Sequence, residues 1–252
     1  MKGVSFQNGI EYKIVIEGES WMQGGSISVK LDAISRNNVA APEVRVLLAE
    51  ALDRKVKTKA ANTFKVISEA CSPTVPFECS FPLDLNAPVT DHLFSLYLLY
   101  GPQDASGKTT NAPETLGQLR LNILPHQHLR DLIELMGTHF RFAMKTIMAG
   151  KDETVDVKFD APDAKEWSSL ENLVLHLELT EETIEANFQF NRNQIDGAKP
   201  GLASQKVKRE VMRSWNLNQM LHDFNQRLNK EVATAAIDNV IAEYRETSWL
   251  NA

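Results

Sequence analysis

The 252-residue chain carries 27 basic and 33 acidic residues, a net charge of -6. Its apolar share of 43% and charged share of 24% are those of an ordinary globular protein, long enough for one large or two modest domains. The acidic balance excludes a dedicated nucleic-acid binder, which needs excess Lys and Arg for phosphates; no run approaches the ~18 apolar residues of a membrane span, and the start MKGVSFQNGIEYK has no signal-peptide core. A cytoplasmic protein whose two cysteines, Cys71 and Cys79, are free thiols is expected.

The first half alternates as half-buried strands do. EYKIVIEG sets Tyr12, Ile14 and Ile16 on one face, Gly24 and Gly25 supply a turn, and SISVKLDAIS sets Ile27, Val29, Leu31 and Ala33 on one face. The segment VRVLLAEALDRKVKTKAA is ambiguous: it holds good helix formers, with Val44, Leu48 and Leu52 at helical spacing, yet stands among strands, and strand is the expectation for residues 44–60. Next, VPFECSFPLDLNAPVT places Pro76, Pro82 and Pro88 at a spacing of six. A polyproline ligand wants prolines three apart in a solvated setting. Here Phe77, Phe81 and Leu85 lie between them, so they are expected where strands begin, end and cross over. LFSLYLLYG and LGQLRLNILP alternate again, and strands at short intervals between Gly and Pro predict a sandwich.

After Pro125 the period changes. HQHLRDLIELMG places Leu129, Leu132, Ile133 and Met136 on one helical face, with Gly137 as a stop. Alternation returns in TVDVKF, NLVLHLEL and TIEANFQFN, where Leu173, Leu175, Leu177 and Leu179 share a face, as do Ile184, Ala186, Phe188 and Phe190. DGAKPGLAS reads as a loop. Beyond it a helix of ~30 residues is expected, starting near Leu217 with Asn216 as its cap, its stripe running through Leu217, Met220, Leu221, Phe224, Leu228, Val232, Ala236, Val240, Ile241 and Tyr244.

Several motifs invite chemistry. GPQDASGKT resembles a phosphate loop, but five residues rather than four separate Gly101 from Gly107, and Pro113 bars the helix that must follow. His126 and His128 stand two apart and make a metal site only with a third ligand such as Asp131 or Glu134. Asp152, Asp156 and Asp160, with Glu181 and Glu182, do acid–base work only if burial shifts their pKa values, and a solvated sheet face is the default. The cations Lys206, Lys208, Arg209 and Arg213, interleaved with Val207, Val211, Met212 and Trp215, fit an anionic membrane surface or an acidic partner. No nucleophile–base pair or glycine fingerprint stands out, so neither an enzyme nor a cofactor is expected.

The segment VPFECSFPLDLNAPVTDHLFSLYLLYG resembles the arrestin-like sandwich, and within it the bacterial sporulation-control protein family, through Pro76–Phe77, Pro82–Leu83 and Pro88 with Thr90. The surrounding order agrees: an early strand pair from Tyr12 to Gly25, a strand ending at Pro125, a short helix, and a second small sheet. Where that family carries an acidic and arginine-rich ending, this chain has NFQFNRNQIDG, with Arg192 alone. The resemblance implies a mainly β fold of two arrestin-like β-sandwich domains joined by a short helix and followed by a long C-terminal helix. The expected division is 1–125, a helical linker at 126–137, a smaller β domain at 138–196 and a helical segment at 204–247. It implies a non-catalytic cytosolic scaffold or adaptor that binds protein partners through sandwich edges or the last helix. Trp215, Met220, Phe224, Leu228, Lys208 and Arg209 are the candidate partner contacts, and homo-oligomerisation through the C-terminal helix is a further expectation. Two alternatives stand beside it: a metal-dependent enzyme or binder using His126 and His128, and a peripheral membrane protein docking through residues 206–215.

Overall fold

A computed structural model describes residues 1–35, 43–60, 62–103, 113–195, 204–222 and 225–249. Its contacts divide the chain into two compact units, Met1–Leu124 and Pro125–Ala252.

The first unit is a sandwich. One sheet has the order β1–β2–β4–β7, from Lys2–Gln7, Ile10–Ile16, Ser26–Ser35 and Phe77–Pro82. The facing sheet has the order β6–β5–β8–β9, from Phe64–Ser72, Val44–Leu52, Phe94–Pro102 and Gly117–Arg120. Two short strands, β3 (Trp21–Met22) and β10 (Ile123–Leu124), pair in parallel beside them. The alternation seen in the sequence places Tyr12, Ile14, Ile27 and Leu31 of one sheet against Val46, Leu48, Leu96 and Leu98 of the other. Pro76 immediately precedes β7, Pro82 ends it and Pro88 lies in the crossover to β8, so the three prolines mark strand boundaries, where a missing amide costs no ladder bond.

The ambiguous segment is both things in succession. Residues Val44–Leu52 form β5 and Asp53–Thr58 form helix α1. β5 is buried on both faces because its second face, with Leu47, Ala49 and Ala51, joins Tyr97, Leu99 and Leu116 in a smaller cluster against which Val56 of α1 packs. A strand covered on both sides reads as an unbroken apolar run, which is why helical spacing appeared in it.

Cys71 is exposed, Cys79 is half-buried, and both are free. Burial pushes the Cys79 thiol up to about 11, and partial desolvation, with the hydrogen bond and charge of Glu69, does the same for the exposed Cys71. Since the thiolate is the nucleophile, exposed Cys71 is expected to react slowly with a disulfide reagent at pH 7.5 and to speed up steadily through pH 10. Rapid labelling at neutral pH would contradict that environment.

In the second unit, helix α2 (Gln127–Thr138) precedes one antiparallel sheet, β11–β12–β13–β14–β15, formed by Ala143–Ala149, Val155–Asp160, Leu170–Leu179, Thr183–Ile195 and Ser204–Asn216. Its inner face carries Val157, Phe159, Leu173, Leu175, Phe188 and Phe190, all inaccessible to solvent. Two expectations are corrected here. α2 contacts the last helix of its own unit, so it belongs to that unit instead of standing apart as a linker at 126–137. Residues 204–216 are not helical but form the thirteen-residue strand β15.

The helix that follows is also divided. α3 is a single turn, Leu217–Met220, capped by the Asn216 side chain as expected, and α4 runs separately from Lys230 to Trp249. Asn229 starts α4, its side-chain oxygen accepting from the amides of Glu231 and Val232 at 3.2 and 3.3 Å. α4 turns Ala233, Ile237, Val240, Ile241 and Tyr244 inward. Tyr244 stacks on Phe190 with centroids 4.0 Å apart and on Trp167 at 6.1 Å. The apolar stripe of the C-terminal helix therefore packs within its own unit. None of the helices among the described residues is long and apolar enough to cross a membrane.

Candidate functional site

Strand alternation takes the basic cluster apart. On β15, Val207, Arg209, Val211, Arg213 and Trp215 turn to the inner face, and Lys206, Lys208, Glu210, Met212 and Ser214 to the outer one. The inward arginines hold α4. Arg209 donates to the carbonyls of Tyr244 and Glu243 at 3.3 and 3.4 Å, and Arg213 forms an ion pair with the Glu243 carboxylate. Trp215 meets Phe188 edge to face at 6.0 Å. No local pattern marks Glu243 and Tyr244 as the partners of these arginines, because the contact spans some thirty residues of chain.

Of the five candidate partner contacts among the described residues, only Lys208 stays fully on the surface. Met220 and Leu228 are each 3% exposed and belong to the core of the second unit, which corrects their assignment as contacts. Arg209 and Trp215 are half-buried against α4 and Phe188. Phe224 lies outside the described residues, as do Gly107, Lys108 and Thr109 of the phosphate-loop near-miss.

The histidine pair is built into the start of α2. The His126 side chain caps the helix, Nδ1 accepting from the His128 amide at 3.2 Å. Asp131, the expected third ligand, is committed elsewhere. Arg227 grips its two oxygens at 2.7 and 2.9 Å, and Gln127 donates to it at 2.7 Å. Burial alone would raise that carboxyl, but the hydrogen bonds from Arg227 and Gln127 overrule it and hold the pKa below its usual value. Among the described residues no three His, Cys, Asp or Glu side chains converge as a metal site would require. The acidic residues of β12 are likewise taken up: Asp156 bonds His176 Nδ1 at 2.7 Å and Thr154 Oγ1 at 2.9 Å, and Asp160 meets Lys145 at 2.8 Å.

These histidines titrate in opposite senses. The Asp156 hydrogen bond raises His176, whereas burial lowers both His126 and His128. For His176 the folded pKa lies above the unfolded one, so its contribution is complete below about 6.5 and is lost as pH rises through the folded value. The gap in urea midpoint between the wild type and His176→Gln should therefore shrink from pH 5.5 to pH 9, and a widening gap would contradict the pairing. His126 and His128 work the other way, costing stability as pH falls below their unfolded value.

Among the described residues β15 is the longest strand at a sheet edge. The other edges among the described residues carry features that hinder pairing. β1 lies against β9 across the sandwich, so those two edges face each other. β7 is six residues long with Pro76 before it and Pro82 at its end. β6 is bulged at Ile67 and β11 at Lys145, where their registers shift. β15 pairs with β14 without a register shift from Thr183↔Asn216 to Ile195↔Ser204 and is the terminal strand of its sheet. Such a long, regular edge presents a row of backbone donors and acceptors. At its middle Met212 is 67% exposed, the most exposed large apolar side chain among the described residues.

These features define a β-rich, arrestin-like fold ending in a helix. Among solved structures the chain resembles Spo0M, the sporulation control protein from Bacillus subtilis, with a TM-score of 0.61 over 96% of this chain and 99% of that one, at 11% identity. At that identity the likeness is one of fold. No protein-family model matches the chain, nor does any curated protein.

Proposed function

We propose that the chain is a non-catalytic, cytosolic regulatory scaffold that binds a protein partner by taking an extended segment onto the edge of β15. The observation carrying this reading is the edge itself: thirteen residues, in unbroken register on one side, terminal in its sheet. Adding a strand to such an edge gains main-chain hydrogen bonds, while alternate side chains set specificity. The likeness to a sporulation control protein agrees with a regulatory role. The commitment of Asp131, Asp156 and Asp160 to arginine, histidine and lysine leaves those carboxylates structural work instead of proton transfer.

Site-directed photo-crosslinking tests the reading. A benzophenone amino acid replacing Ser214 on β15 should capture one partner, with the adduct mapping to a single continuous segment of it. The same probe replacing Ile34, on the outer face of the first unit, should not capture that segment. Equal capture at both positions, or capture at Ile34 alone, would place the partner elsewhere.

A further inference from the structure

β15 bears four cations, Lys206, Lys208, Arg209 and Arg213, against the single carboxylate of Glu210, in a chain whose net charge is -6. Two of the four are used internally by α4. The other two, Lys206 and Lys208, lie on the exposed outer face in line with Glu210 and Met212. Each has an acidic neighbour, Lys206 with Glu171 at 3.0 Å and Lys208 with Glu210 at 2.6 Å. Ion pairs this exposed are weak and exchange readily for another carboxylate.

Lysines on an edge strand serve a known structural purpose, which is to stop edges from pairing with copies of themselves. In an antiparallel pairing of two copies that sets Lys208 opposite Glu210, Lys206 falls opposite Met212 and Arg209 opposite Arg209. The ammonium group then meets an apolar side chain and two guanidinium groups meet each other. The same charges that disfavour a second copy favour a strand of opposite sign, because directly opposed unlike charges stabilise a cross-strand pair and like charges destabilise it.

Building on the reading of β15 as a partner edge, we infer that its occupant is an extended acidic segment of another protein. It pairs antiparallel, with an apolar side chain opposite Met212, a cation opposite Glu210, and carboxylates opposite Lys208 and Lys206. Antiparallel pairing runs the partner from Met212 toward Lys206, so its pattern is apolar, basic, acidic, acidic at every second residue. The intervening side chains turn toward the inner face, beside Val207, Arg209 and Val211.

Two synthetic peptides probe this on the full chain, TVTKTETET and its charge-inverted counterpart TVTETKTKT. The first should bind more tightly by about tenfold or more, weaken as salt is raised, and perturb amide resonances of β14 and β15. The K206E/K208E variant, altered only at exposed side chains, should reverse the preference. Equal affinity for both peptides, or a preference unchanged in the variant, overturns the assigned chemistry. Concentration-dependent self-association through β15 without peptide binding makes the occupant a second copy and also overturns it. If neither peptide perturbs β15 while the Ser214 probe still captures a partner, the acidic segment is wrong and the scaffold reading stands. If both experiments fail, both fall.

Discussion

Removing α4 by ending the chain at Asn229 is expected to unfold the second unit while the first keeps its structure. Ile237, Val240, Ile241 and Tyr244 are buried, and α4 shields Phe190 and Trp167 by stacking. Burying one large apolar side chain contributes about 1.5–3 kcal/mol, so four together approach the whole net stability of a domain, about 5–15 kcal/mol. The truncation also strips Arg209 and Arg213 of their partners on α4, leaving two guanidinium groups on a face built to be covered. A gentler version is Tyr244→Ala, expected to cost about 3–5 kcal/mol because a stacked aromatic leaves a cavity that its neighbours fill poorly. Urea unfolding followed by tryptophan fluorescence should show the loss through Trp167 and Trp215. A truncated chain with an unchanged second unit would mean that α4 is an appendage, and would return its apolar face to the list of docking surfaces.

The second large effect belongs to the first unit. Asp53, buried at the start of α1, accepts from Tyr97 Oη at 2.9 Å and pairs with Arg120 at 3.0 Å. Arg120 also donates to Ser95 Oγ at 2.9 Å and to the Asp91 carbonyl at 2.8 Å, tying β8, β9 and the turn before them to the helix. Burial, with the Asp53 bond, pushes the Tyr97 hydroxyl up to about 12, so it remains a donor throughout the physiological range. Asp53→Ala orphans that hydroxyl and takes the carboxylate from Arg120, which keeps its bonds to Ser95 and the Asp91 carbonyl, for a loss of about 2–3 kcal/mol, given that hydrogen bonds to charged groups contribute more than neutral ones. Asp53→Asn keeps an acceptor for Tyr97 and should cost less. Equal losses in the two variants would show that the charge on Asp53, and not its hydrogen bond to Tyr97, sets the stability.

These two sites also show where the sequence is legible. β2, β4, β8, β13 and β14 could be read directly because their inner residues are apolar, as with Leu173, Leu175, Leu177 and Leu179. β15 resisted because two of its inner positions are Arg209 and Arg213. Their burial makes sense only once Tyr244 and Glu243 of α4 stand above them. Val207, Val211 and Trp215 recur every four residues, which suits a helix, but they also recur at even spacing, which suits a strand, and periodicity alone cannot separate the two. β11 showed no period because its first four residues are all exposed. The candidate site inherits the same difficulty. Lys208 and Arg209 are neighbours in sequence and were grouped as one basic cluster, but on a strand they face opposite sides, one toward solvent and the other under a helix. Asn229, a cap residue two positions before a glutamate, was the local sign that the last helix begins afresh there.

Partner binding by strand addition requires the edge of β15 to be open in the free protein. Amide hydrogen exchange measured residue by residue on the intact chain tests this directly. Alternate β15 amides, those bonded to β14, should be protected, and the intervening ones should exchange freely, producing a two-residue rhythm between Ser204 and Asn216. Uniform protection along the strand would mean that its outer edge is already covered, and the proposed mode of partner binding would be contradicted.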